Sequence, residues 1–467
     1  MKIKKLDIKD IFYITLLAAT LIYLGTIAFS VRIYIDFVIF FILALLLVIN
    51  FVYDIKKDPK KIKEGLKRTF STAKWLYIAI IIYILCDIII CFYSPGFGLF
   101  YRKFVRMGQY GTLFLSGVYL VKTKKQQIDL ISIIAITGTL ISIGAYLVHF
   151  FSVRPIYFHR ISSAKDYNVF AALVFFCYLF GFYYLLKCSN RSFIKRLLLF
   201  IVYSVINIPV IYYAGSRRLI VIFPLFLILY LVSETALFIF RQQKIRMFKT
   251  GLCFFGAAVV MFGVVFTCRN YFTMYGEYKI DKYMERQSDL TERPKDATLE
   301  QIEDTIINNT ALNKRKIIWR VAIDEIKSYN VPQIVFGKGQ SYNIYFYNIV
   351  DDSEYIQAYS IAERGRPEGM HAHNFILADM LDGGIFKLSA GFFLVLMLLL
   401  YILKLFKTKN NLSILFFIVI SFVMFNKFIS GEFGILSDLF FWTAVMTLCV
   451  TLKLPLENNT VLVQKED

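Results

Sequence analysis

Apolar runs close to twenty residues long recur along this chain of 467 residues, and they constrain its fold more than any other feature. Such a run matches the hydrocarbon thickness of a bilayer, about 30 Å. Lipid offers no partner to backbone N–H and C=O groups, so each run has to close its hydrogen bonds internally as a helix. Runs near 11–30, 37–53, 75–93, 105–121, 128–149, 168–187, 197–214, 219–240, 251–267, 384–403, 412–430 and 435–452 predict an all-α polytopic integral membrane protein of about twelve transmembrane helices. The first run lacks a small-residue cleavage site and reads as a retained helix, not a signal peptide.

Composition agrees with that class. Hydrophobic residues make up 58% and charged residues only 18%, against about 45–50% and about 25% in soluble domains. The formal charge of +20 would suit a nucleic-acid partner, but most Lys and Arg sit in short clusters between apolar runs. The lipid bilayer, not nucleic acid, is therefore the expected partner. Seven cysteines lie mostly in or beside the runs without a CxxC spacing, as buried small hydrophobes and not as a disulfide or metal framework.

The basic clusters set orientation. Lys2, Lys4, Lys5 and Lys9, the 54–74 loop, Lys122–Lys125, Lys187–Arg196, Arg241–Lys249 and Lys404–Lys409 all fall on one side of a twelve-span arrangement. Positive charge favours the cytoplasmic side. Both termini are then cytoplasmic, and the segment from about 268 to 374 faces outward. The expected division is transmembrane helices 1–9 over 1–267 and an extracytoplasmic loop domain with short helices over 268–374. A re-entrant or interfacial helix, transmembrane helices 10–12 and a cytoplasmic tail follow over 375–467. Within the loop domain, helices are predicted near Thr298–Ile307 and Leu312–Ser328. The second carries Arg315, Trp319, Ile323 and Ile326 on one face. A polar segment this long between spans is the first place to look for function.

Cations on the outer side break the charge rule and need a reason. Arg102, Lys103 and Arg106 fall on the predicted loop between spans 3 and 4, and Arg154, His159, Arg160 and Lys165 on that between spans 5 and 6. Ala214-Gly215-Ser216-Arg217-Arg218 ends span 7 just where span 8 begins, which sets both arginines at or beside membrane depth. An ionised group there costs up to roughly 2.5–3.5 kcal/mol, so an anion is expected to offset it. Lipid headgroups and acidic loop residues are the plain alternatives. His373, in Gly369-Met370-His371-Ala372-His373-Asn374-Phe375, stands where the polar loop meets the next apolar run. An imidazole with an ordinary pKa of about 6.5 suits a proton acceptor. His371 and His373 alone give too few ligands for a metal site.

These residues resemble landmarks of the O-antigen ligase and O-antigen or capsular polysaccharide polymerase superfamily. His159-Arg160-Ile161-Ser162 followed by Asp166-Tyr167-Asn168 is similar to its Arg loop before an Asn-opened helix, and Gly215-Ser216-Arg217 to its Ser-Arg turn. Arg315-Lys316-Ile317-Ile318-Trp319 with Phe336-Gly337-Lys338-Gly339 resembles its Arg-to-Trp motif with a downstream Gly-x-Gly. His373-Asn374 followed by Gly383-Gly384 resembles its His-Asn helix ending in glycine. The resemblance covers roughly 150–405. Lys387 stands where the ligase pattern has a second glycine and Tyr167 where proline is usual, which tilts the comparison toward a polymerase.

The resemblance implies a GT-C-like glycosyltransferase in a bacterial cytoplasmic (inner) membrane. It would join undecaprenyl-pyrophosphate-linked oligosaccharides by inverting transfer, alongside a chain-length regulator and a flippase. Arg217 and Arg315, helped by Arg160 and Arg218, would hold the departing pyrophosphate, since a guanidinium fork matches phosphate oxygens. His373 would be the general base, with Asn374 and Trp319 orienting it or binding sugar. No Asp-rich DxD motif occurs at the outer face, so arginine is expected in place of a metal, with no cofactor. Transfer of finished glycan to a lipid or protein acceptor (a ligase), or transport of lipid-linked sugars, are the alternatives.

Overall fold

The computed structural model describes residues 8–29, 34–95, 97–152, 154, 157–164, 166–241, 245–286, 310–359, 361–365, 370–408, 410, 412–430, 436 and 438–454. Among these there is no strand. The predicted helix near Thr298–Ile307 lies outside the described residues.

The first half comprises α1 (Ile8–Phe29), α2 (Tyr34–Lys57), a short basic α3 (Pro59–Thr72), α4 (Lys74–Cys91), α5 (Phe97–Leu120) and α6 (Lys124–Phe151). Next come α7 (Tyr167–Tyr183), which runs on as a π turn over Tyr184–Cys188, then α8 (Phe193–Tyr213), α9 (Arg217–Arg241) and α10 (Ile245–Thr267). Polar helices follow: α11 (Arg269–Arg286), α12 (Thr310–Lys327), α13 (Val331–Phe336), α14 (Tyr342–Ile349), α15 (Ser353–Ala358) and α16 (Ile361–Arg364). The chain ends with the long α17 (Phe375–Lys407), α18 (Ser413–Ser430) and α19 (Leu439–Lys453).

Nine helices among the described residues are long and apolar enough to cross a membrane, and 413–429 and 439–453 form shorter apolar helices. Each of the twelve expected runs falls on a helix, three of them outside that set of nine. One of the three is α5. Its start corrects the expectation for Arg102, Lys103 and Arg106: they lie in helix, not loop. Pro95-Gly96 breaks the chain, and the Arg, Lys and Met that follow are good helix formers. In α12 the buried stripe is Ile318, Val321 and Ala322, whereas Ile323 is 42% exposed. The core face is thus turned away from Ile323, and Arg315 and Trp319 flank it.

The bundle is organised around α7, where Phe170, Leu173, Phe176 and Phe180 have no exposed surface. Phe175 sets its ring edge-on to Phe223, Phe226 and Phe422 at 4.9–6.0 Å, favourable geometry for aromatic quadrupoles. The periphery is different. Phe41 and Leu45 on α2 are 64% and 60% exposed, and many other large apolar side chains are exposed likewise, as suits a surface facing lipid.

The break in α17 positions everything that follows. Gly384 interrupts the helix at φ 59°, ψ −156°. The carbonyls on the N-terminal side of the break lose their helical donors and are taken up by the Gly-x-Gly loop. The Lys338 N–H donates to Leu381 O at 3.0 Å and the Gly339 N–H to Asp382 O at 2.9 Å. The Gln340 N–H donates to Ile90 O of α4, also at 3.0 Å. The backbones are so close that glycine is required. A Cβ on Gly337 would lie 2.4 Å from Asp382 O, and one on Gly384 2.5 Å from Ile334 O. Two glycine motifs far apart in sequence are thus two sides of one seam.

Candidate functional site

At the end of the bundle where α12–α16 pack, three separate elements bring cations together. The first is the 157–164 loop, tied to α8 by the Ile161 N–H donating to Tyr213 O at 2.9 Å. Its Arg160 guanidinium stacks on the Tyr167 ring, 4.2 Å from the centroid. Gly215, at φ 87°, leaves room for the Arg160 side chain, which a Cβ would approach to 3.1 Å. Asp166 caps α7 by accepting from the Asn168 and Val169 N–H groups. Ser216 Oγ donates to Asn168 Oδ1 at 3.0 Å, so the Asn-opened helix holds the Ser-Arg turn in place.

The second element is the start of α9. Arg218 points back toward the site, its Nη1 donating to Asn426 Oδ1 of α18 at 3.4 Å. Arg315, Asp166 and Tyr167 all lie within its electrostatic reach. Arg217 opens the same helix, but its side chain lies outside the described residues. The third element is α12, from which half-buried Arg315 faces Tyr359 and Tyr167. Burial lowers the Arg315 pKa from its usual value, while the two phenols act to raise it. No carboxylate among the described residues lies within ion-pair distance of Arg160, Arg218 or Arg315.

His373 completes the group. It takes φ 50°, in the left-handed region that a non-glycine residue enters only when held there. The hold falls on its neighbour Ala372, which is fully buried. The Trp319 indole N–H donates to Ala372 O and the Ala372 N–H to Asn343 Oδ1, both at 2.9 Å. The His371 and His373 rings face each other at 3.9 Å between centroids. Burial pulls the His373 pKa down from 6.5 to about 2, with His371, Arg315 and Arg218 adding to the effect. The ring is neutral at any ordinary pH, and its Nδ1 makes no hydrogen bond within the protein.

Of the expected site residues, Arg160, Arg218, Arg315, Trp319 and His373 therefore converge, and Trp319 acts on the His373 loop through its indole N–H. Asn374 has a local duty: its Oδ1 accepts from the Ile376 and Leu377 N–H groups and caps α17. Two acidic residues that could have balanced the arginines are engaged elsewhere. Glu354 pairs with Arg320 at 3.0 Å, and Asp379 pairs with Lys387 at 3.1 Å. His149 and His159 are buried as structural groups. His149 Nδ1 meets the carbonyls of Tyr157 and Arg160, and His159 Nε2 lies 3.5 Å from Glu277 Oε1. Among the described residues, no group of three or more His, Cys, Asp or Glu side chains is arranged to hold a metal ion.

Sequence reasoning overlooked Asn426 and Asn343. Asn426-Lys427 ends an apolar run on the side expected to face outward, so the rule that singled out Arg217 and Arg218 would have found it. Asn343, inside Tyr342-Asn343-Ile344-Tyr345, carries no comparable signal.

No family model, curated protein or solved structure compared with this chain matches it.

Proposed function

We propose that this chain is a polysaccharide polymerase, joining undecaprenyl-pyrophosphate-linked oligosaccharide repeat units at the extracytoplasmic face of a bacterial cytoplasmic membrane. The observation that carries the reading is the meeting of Arg218 and Arg315 on the neutral imidazole of His373. Cations with no carboxylate partner among the described residues suit an anionic ligand, and an imidazole beside them suits a proton-transfer step during displacement of that anion.

The chemistry follows from those groups. The acceptor hydroxyl oxygen attacks the anomeric carbon as the bond from that carbon to the pyrophosphate oxygen breaks. The electron pair leaves with the pyrophosphate, where guanidinium forks from Arg218 and Arg315 balance the growing charge. The hydroxyl proton passes to His373 Nδ1. Attack opposite the leaving group inverts the anomeric centre, with no covalent intermediate. Burial first, then His371 and the two arginines, make His373 a weak base. A bound pyrophosphate offsets the arginines' share and so raises its basicity when the donor is present.

Purified protein incubated with a lipid-linked repeat unit tests the reading. A ladder of products is expected, and His373→Ala should abolish it while the protein still accumulates in membranes. A single transfer to a lipid or protein acceptor would instead favour a ligase. The broken α17 with its buried ion cluster lends some support to a transporter of lipid-linked sugars. Movement of lipid-linked sugar across liposomes without a new glycosidic bond would select that reading.

A further inference from the structure

Lys387 occupies a position with no role in the proposed chemistry, yet it anchors the most heavily charged buried cluster among the described residues. Its Nζ lies 3.2 Å from Asp87 Oδ1 on α4, 3.1 Å from Asp379 Oδ1 and 3.5 Å from Asp382 Oδ2. The Tyr83 hydroxyl donates to both Asp379 oxygens. All five side chains are buried, with Asp382 the most exposed at 5%. Ionised groups inside a bilayer are expensive and are retained where they serve a purpose.

The cluster continues toward the site. Asp382 Oδ1 accepts from the Asn343 backbone N–H at 2.8 Å, and Gln340 Nε2 lies 3.5 Å from Asp382 Oδ2. Asn343 then turns its side chain the other way, and its Oδ1 accepts from the Ala372 N–H. Ala372 sits between His371 and His373. The path Lys387–Asp382–Asn343–Ala372 thus joins a fixed ionic anchor in the bundle to the loop that holds His373 in its left-handed conformation.

We propose that Asn343, braced by Asp382 and Lys387, is the positioning residue that holds His373 at the site. The link to catalysis rests on the polymerase reading; the mechanical claim does not. Without the Asn343 acceptor, the Ala372 N–H is left buried and unpaired, and the strained backbone at His373 relaxes. Released, the imidazole escapes its burial and the neighbouring charges of His371, Arg315 and Arg218.

Asn343→Leu keeps the branched shape of the side chain and does not weaken the helix, but removes the acceptor. Hydrogen exchange should then accelerate across 370–374 by roughly tenfold to a hundredfold, while residues 375–383 keep wild-type protection. If the chain polymerises, kcat should fall by about a hundredfold with KM within about twofold. An acid limb should also appear in the kcat profile between about pH 5 and 7, where a released imidazole titrates. Asp382→Asn leaves every heavy-atom position filled and keeps an oxygen for the Asn343 N–H, so it should give a smaller change of the same kind. Unchanged exchange at 370–374 in both variants, or equal acceleration throughout the chain, overturns the proposal. Local acceleration in a chain whose wild type makes no polymer leaves the positioning role standing and sinks only the polymerase reading.

Discussion

The two charged centres of this molecule are opposites. Around Lys387, one ammonium faces three carboxylates, deep between α4 and α17 and closed to solvent. Around the His371–His373 pair stand the guanidinium groups of Arg218 and Arg315, with Arg160 stacked on the Tyr167 ring that both also sense, and no carboxylate in ion-pair reach among the described residues. The first carries formally more negative than positive charge and offers nothing to an anion. The second carries an excess of positive charge, with no carboxylate among the described residues in ion-pair reach and Asp166 only within the longer electrostatic reach of Arg218. The sign of the excess, more than burial itself, separates a centre built to hold structure from one suited to an anion.

Substitution should separate them. The largest effect is expected at the closed centre. Lys387→Met strands three buried carboxylates and should cost about 3–5 kcal/mol of stability in denaturant titration in detergent. Arg315→Met should be neutral or slightly stabilising in the same assay, because it relieves an uncompensated cation. Equal losses would erase the distinction.

Activity should reverse the order. Arg218→Lys and Arg315→Lys keep charge but lose the fork, and chain extension should drop by on the order of a hundredfold with folding intact. The same change at Arg217, measured in parallel, would show which arginine of the turn does more. Full activity in all three variants would return these side chains to lipid-headgroup contacts.

The smallest effect is in the response of stability to pH. His373 has an ordinary pKa near 6.5 when unfolded and about 2 when folded. Its burial therefore weakens the fold as pH falls below 6.5, because the unfolded chain takes up a proton that the folded chain refuses. At pH 5 the penalty reaches at most about 2 kcal/mol. His373→Gln should flatten that part of the wild-type stability curve, and identical curves would mean the ring protonates freely in place.

The sequence made some of this legible. Long apolar runs point to helices because backbone in lipid has no alternative, and wrong-side cations point to Arg160 and Arg218 because burying charge is costly, whereas Arg315 was reached only through its motif resemblance. Both are local signals. The seam between Gly337-Lys338-Gly339 and Gly383-Gly384 is not local: each motif is intelligible only once the other lies against it. Lys387 appeared as a departure from a glycine pattern, and its three carboxylates come from two helices almost 300 positions apart. Asn343 was illegible for the same reason, since its value lies in one backbone N–H twenty-nine residues away. Arg102 and Lys103 were misplaced because good helix formers extended α5 past the end of its apolar run.

The seam also governs how freely this stretch can drift. Lys338 and Gln340 contribute main-chain N–H groups to it, which every amino acid except proline supplies. Gly337 and Gly384 contribute the absence of a side chain, which no other amino acid supplies, and Gly339 does the same against Tyr93 O. Gly337 is therefore shut to substitution by a partner some forty-five residues further on and Gly339 by Tyr93 just beyond α4, whereas Lys338 and Gln340 are constrained through what their side chains touch, among them Glu325 and Asp382.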